Sequence, residues 1–125
     1  IDKKLEHWQR IIIAACAQSE RNVLPILARP IELTRWFGTL NNSSDYNIVL
    51  HPDSNIPTTL SNLAKPEPAQ IINILVGPES GLDTREVELA IQTGFQATLL
   101  GTRILRTETA GLATIAALQA LWGDF

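Results

Sequence analysis

The sequence predicts an α/β layered domain built on a parallel sheet flanked by helices, and three observations predict it. Two apolar runs, IINILVG (71–77) and FQATLLG (95–101), have the length and composition of strands covered on both faces. The segment between them, DTREVELAIQTG (83–94), has helical periodicity with start and stop signals at its two ends. A further run, YNIVLHP (46–52), lies upstream, so strands alternate with helical segments, the pattern of parallel strands joined by crossovers.

In chain order, residues 2–18 form a helix, because Leu5, Trp8, Ile12, Ala15 and Cys16 recur at spacings of three and four. RNVLPILARP (21–30) is extended, since Pro25 and Pro30 exclude a helix there. IELTRWFGTL (31–40) suits a short helix ended by Gly38, and NNSSD (41–45) is a loop. YNIVLHP is a strand stopped by Pro52. Residues 53–70 are polar and punctuated by proline, which gives a long loop or a loop with one helical turn. After the strand at 71–77, PESGL turns the chain. The helix at 83–94 opens on a capping box, with Asp83 at the N-cap and Glu86 three residues on, and stops at Gly94. The strand at 95–101 follows, and residues 106–123 contain the last helix, with Ile115, Leu118 and Leu121 or Trp122 on one face.

The chain has 125 residues, 45% of them hydrophobic and 18% charged, which fits one domain with a real core. Its single cysteine excludes an internal disulfide framework and fits a reducing, cytoplasmic compartment; within an Ala-rich stretch, Cys16 reads as a buried structural thiol. No apolar run reaches the ~18 residues of a membrane span, and no signal peptide is visible. The net charge of −3 argues against this segment alone gripping nucleic acid strongly, although Arg85, Arg103 and Arg106 gather in the last third. With no methionine anywhere and isoleucine at position 1, the sequence reads as a segment preceded by an N-terminal region.

Two strands end alike. ILVG-PESG and TLLG-TRILRTET both pass from an apolar strand through glycine into a polar loop and then a helix. Open parallel sheets bind ligands beyond the carboxyl ends of their strands, so residues 77–81 and 101–109 should face one crevice, with His51 at the same edge. The glycines allow close approach of a ligand to the backbone. No dinucleotide or P-loop fingerprint is present, Ser80 lacks the nucleophile-elbow pattern, and the two histidines and one cysteine have no metal-ligand spacing. Each candidate also has a plainer role. Glu79 suits a solvated turn, Arg103 a charged surface, His51 a strand end, and Arg106 and Glu108 the capping of the last helix. Trp8, Trp36 and Trp122 suit a core or an interface.

Taken together, LVGPESGL (75–82), Glu86-Val87, LLGTRILRTETA (99–110) and ALQALWGD (117–124) resemble the RsmE family of SPOUT-class methyltransferases. AACAQSERNVLP (14–25) and LHP (50–52) extend the resemblance over essentially the whole chain. The family pattern has mostly G-P-E-G-G where this chain has Ser80, which tests whether that position needs a positive φ.

The resemblance implies a SPOUT fold with a C-terminal trefoil knot over residues 1–125, and a homodimer. It also implies a preceding PUA-like RNA-binding domain and a first SPOUT strand that lie outside the sequence. It implies S-adenosylmethionine as cofactor and N3 of a uridine in 16S ribosomal RNA of the small subunit as the methyl acceptor, with no membrane or metal partner. On that basis Leu50, His51, Leu75, Val76, Gly77, Leu100 and Gly101 cradle the cofactor, Gly81 permits its approach, and Ile104 and Leu105 pack on the adenine. Glu79 orients the loop or the cofactor. Arg106 and Glu108 face the uridine, with Thr109 as hydrogen-bonding support, and Arg106 and Thr109 also touch the cofactor. The chemistry suits these residue types, because an N3 proton must be taken up and charge on the uracil oxygens must be stabilised. A SPOUT enzyme acting on another RNA and a non-catalytic RNA-binding module are the alternatives.

Overall fold

The computed structural model describes residues 1–40, 44–51 and 58–125. The chain forms two compact units, Ile1–Leu33 and Thr34–Phe125. In the first, α1 (Asp2–Gln18) follows the predicted bounds. Its covered stripe is Leu5, Gln9, Ile12 and the buried Cys16, spaced at three and four residues. Trp8 and Ala15, expected on that stripe, lie on the exposed side with Ile11 and Ile13. Ser19 closes the helix by donating its hydroxyl to the Ala15 carbonyl at 2.8 Å. Residues 21–30 have no regular structure, as the two prolines require. Arg29 and Asp2 pair at 3.2 Å on the surface of this unit.

The second unit is organised by β1 (Tyr46–Leu50), which pairs in parallel with β2 (Ile72–Leu75) on one side and β3 (Gln96–Thr98) on the other. Every residue of β1 is buried. β2 and β3 are not covered on both faces as expected. As the outer strands of the sheet among the described residues, β2 is half-buried throughout and β3 runs from exposed Gln96 to buried Thr98. An apolar run reveals that a strand is covered, but not which neighbours cover it.

Side chains alternate along β1. Tyr46, Ile48 and Leu50 join Leu60, Leu63, Ala110 and Leu118 in one core, against which Ile72, Ile74, Val76, Leu100, Leu105 and Trp122 pack. Leu60 and Leu63 come from a 3-10 turn (Leu60–Asn62) and its end, the single helical turn foreseen in the polar stretch. Ala110 and Leu118 come from α4 (Thr107–Trp122). The buried face of α4 is Ala110, Thr114 and the expected Leu118, with Trp122, the alternative to Leu121, edge-on to Tyr46; Ile115, also expected there, is exposed. Thr114 is tolerated in the core because its hydroxyl donates to the Ala110 carbonyl at 2.7 Å.

A second cluster holds Trp36 and Phe37 of α2 (Leu33–Thr39) against Phe95. Gly38 lies inside α2 rather than after it. α3 (Thr84–Thr93) has the predicted cap: Glu86 N–H donates to Asp83 Oδ1 at 2.8 Å, and Asp83 N–H donates to Glu86 Oε1 at 2.9 Å. Gly94 ends it in the left-handed region at φ 106°. Pro52, residues 41–43 of the predicted loop and residues 53–57 of the polar stretch lie outside the described residues.

Candidate functional site

Three parallel strands point the same way, so their carboxyl ends meet at one edge. The register sets Val49 opposite Leu75 and Leu50 opposite Thr98, which brings His51, residues 76–82 and residues 99–106 together. They enclose a cavity of about 700 Å³. β2 and β3 stand on opposite sides of β1, and the chain crosses between them by way of α3. The cavity therefore opens beyond the strand around which the sheet changes direction.

One wall is the turn after β2. Gly81 N–H donates to the Pro78 carbonyl at 2.8 Å and closes a β-turn, with Gly81 at φ 80°. Ser80, the departure from the family pattern, needs no left-handed backbone: Glu20 is the one non-glycine residue with positive φ among those described. Gly77 is glycine for another reason, because a Cβ there would stand 2.8 Å from Leu82 N and 2.9 Å from Leu82 Cγ. The opposite wall is the loop after β3, which turns at Gly101, φ 75°. Among the described residues, no backbone hydrogen bond engages an N–H or C=O from Leu100 to Leu105. A third side comes from the end of the polar stretch, where Leu99 N–H donates to the Thr58 carbonyl at 2.8 Å and Thr59 bridges to Leu99. Thr107 links the first two walls, its hydroxyl donating to the Gly77 carbonyl at 3.0 Å.

Of the residues proposed from the sequence, Leu50, His51, Val76, Gly77, Glu79, Gly81, Leu100, Gly101, Ile104, Leu105, Arg106 and Glu108 line this cavity. Leu75 and Thr109 do not. Leu75 lies one residue out of step with Ile74 and Val76, which pack on the core face, so it points to the other side of the sheet. Thr109 is exposed on the first turn of α4. The cavity also takes in Thr59, Pro78, Leu82, Leu99, Thr102, Arg103, Thr107 and Ala110. Arg103 and Thr107 belong to the polar loop that follows the strand at 95–101; nothing in the proline-rich stretch singled out Thr59.

The lining mixes two chemistries: Val76, Leu100, Ile104 and Leu105 are apolar, and Glu79, Arg103, Arg106 and Glu108 bring charge. None of these four forms an ion pair or side-chain hydrogen bond with another described residue. Arg106 is the N-cap residue of α4 but makes no capping bond with its side chain. Glu108 stands in the first turn, where the helix dipole favours a carboxylate. An unengaged guanidinium and an unengaged carboxylate two residues apart can stabilise an oxyanion and accept a proton on the same ligand. Among the described residues, no group of three or more His, Cys, Asp or Glu side chains is placed to hold a metal ion.

The chain is similar to several known proteins. The ribosomal RNA small subunit methyltransferase E of Buchnera aphidicola from Acyrthosiphon pisum is 39% identical over 122 residues, 98% of this chain and 46% of that protein. The protein of the same name from Synechocystis is 38% identical over 94% of this chain and 39% of its own length. A crystal structure of ribosomal RNA small subunit methyltransferase E from Neisseria gonorrhoeae, bound to S-adenosyl methionine, superposes with a TM-score of 0.91 at 41% identity, covering 99% of this chain and 50% of that one. A Legionella pneumophila protein in complex with SAM gives 0.83 at 33% identity, over 96% and 47% of the two chains. The chain thus spans about half the length, or less, of these relatives. The family model described as RNA methyltransferase domain matches residues 1–119, and the chain belongs to that family.

Proposed function

We propose that residues 1–125 are the catalytic domain of an S-adenosylmethionine-dependent methyltransferase that methylates N3 of a uridine in 16S ribosomal RNA of the small subunit. The observation that carries this reading is the cavity at the strand ends, whose lining combines apolar side chains with the unengaged Arg106 and Glu108. The names of the relatives support the substrate, and the two SAM-bound neighbours support the cofactor.

The residues fit such a cofactor. A cavity of about 700 Å³ falls within the roughly 300–1,000 Å³ of small-molecule sites. Ile104 and Leu105 offer apolar surface to an adenine ring, and the unbonded backbone groups of residues 100–105 offer partners to its polar edge. When bound, the cofactor supplies a methyl group on a positively charged sulfur. The chain holds the uridine nitrogen in line with that group, stabilises charge on the uracil oxygens through Arg106, and offers Glu108 and His51 as acceptors for the N3 proton. In this reading the domain acts as a homodimer in the cytoplasm and its C-terminal segment is threaded as a trefoil knot. No described helix is long and apolar enough to cross a membrane.

Isothermal titration with S-adenosylmethionine tests the cofactor, and absence of binding by folded protein would overturn it. Mass spectrometry of ribosomal RNA from cells lacking the gene tests the substrate. The expected result is loss of one N3-methyluridine from 16S RNA; intact 16S modification would refute the assignment.

A further inference from the structure

The two main walls of the cavity share the packing of Val76, Leu100 and Leu105 on one core, but among the described residues a single hydrogen bond joins them. The turn after β2 bonds to itself through Gly81 and Pro78, and the loop from Leu100 to Leu105 has no backbone bond at all among the described residues. Thirty residues separate Gly77 from Thr107, yet the Thr107 hydroxyl reaches the Gly77 carbonyl at 3.0 Å. Gly77 also packs tightly within the turn, where a Cβ would stand 2.8 Å from Leu82 N. A bond that holds the Gly77 carbonyl therefore acts on a closely packed turn. Thr107 is half-buried and opens α4 between Arg106 and Glu108, while Glu79 lies two residues beyond Gly77. One hydroxyl thus couples the wall that carries Glu79 to the helix start that carries the reacting pair.

We infer that Thr107 is a positioning residue, whose hydroxyl bond to the Gly77 carbonyl holds the turn at residues 77–82 in register with the start of α4 so that the cavity is preformed for its ligand. The ligand identity rests on the reading given above; the bond itself does not. Thr107→Val keeps the shape and removes the donor, Thr107→Ser keeps the donor, and Thr107→Ala removes it while favouring the helix if valine impairs folding.

Two measurements on the purified protein test the inference. Amide hydrogen exchange without ligand should be faster at residues 79–82 in the valine and alanine variants, with β1 unchanged and the serine variant like wild type. S-adenosylmethionine affinity should fall about fivefold to tenfold in the same two variants and stay within about twofold for serine, the scale of one lost hydrogen bond. Unchanged exchange at the turn overturns the inference. So does faster exchange with unchanged affinity, or a serine variant as impaired as valine. If wild type itself binds no S-adenosylmethionine, the cofactor reading fails instead, and the exchange of the turn decides the role of Thr107.

Discussion

Asn73 donates from Nδ2 to Asn47 Oδ1 at 2.7 Å across the β1–β2 pair, where the two residues are register partners. Asn47 is buried, and Asn73 also donates to Asp45 Oδ2 at 3.1 Å. This polar rung occupies the end of the sheet opposite the cavity. It gives the pairing a register that β-branched residues alone would leave free to slip by two. Asn73→Leu strands the Asn47 carbonyl oxygen and should cost about 1–3 kcal/mol in urea unfolding. Adding Asn47→Leu removes the stranded group, so the double variant should recover much of that loss. A double variant with the summed cost of both singles would show that the rung is not a coupled pair.

The glycines separate into three physical kinds, and their alanine variants should divide accordingly. Gly111 lies inside α4 with open space where a Cβ would stand, so Gly111→Ala should stabilise by about 0.5–1 kcal/mol through the helix-interior cost of glycine. Gly101 has φ 75°, and Gly101→Ala should cost about 1–3 kcal/mol of backbone strain. Gly77→Ala meets the Leu82 backbone, so it should move the cavity wall and weaken ligand binding more than it lowers stability. Thermal unfolding alongside ligand titration checks all three; equal effects of Gly77→Ala and Gly111→Ala on binding would sink the distinction.

That division explains what the sequence made legible. The glycines at 77, 81 and 101 stand out in the chain, but a left-handed turn and a contact with Leu82 look identical as letters. The cap of α3 was readable because Asp83, Glu86 and Gly94 act within a dozen residues. The burial of β2 and β3 was not, since it depends on β1 taking the central place in the strand order. The face of α4 was legible only in part for a related reason: Leu118 and Trp122 lie on it, and Ile115 does not. A helix apolar almost all round gives a weak periodic signal, and here the sheet selects its small residues, Ala110 and Thr114. At the site, the residues flanking each strand end were legible from topology alone. Thr59 and the Thr107 bond were not, because each depends on a pairing between distant segments.

The capping box offers a local test. Asp83→Ala removes the acceptor for Glu86 N–H and should cost about 1 kcal/mol, whereas Asp83→Asn keeps an acceptor and should cost much less. Chemical denaturation distinguishes them. Because α3 carries the chain from the turn at residues 77–82 to β3, the alanine variant should also loosen amide exchange in the first turn of the helix. Equal stability of wild type and Asp83→Ala would mean that packing of Val87 and Ala90 alone sets this helix start.

Arg106 and Glu108 lie two residues apart at the start of α4, so their roles must be separated by chemistry rather than place. If Arg106 stabilises charge on the uracil oxygens, Arg106→Ala should slow single-turnover methylation by about a hundredfold or more, the scale of removing one transition-state donor. Arg106→Lys keeps the charge but not the planar fork and should recover only part of that rate. An alanine variant with a wild-type rate would remove Arg106 from the reaction. Glu108→Gln and His51→Gln then distinguish the two candidate proton acceptors in the cavity. Loss of the acceptor should slow single-turnover methylation by about a hundredfold or more, while loss of the other group should leave the rate close to that of wild type. If both variants keep the wild-type rate, neither side chain takes the N3 proton.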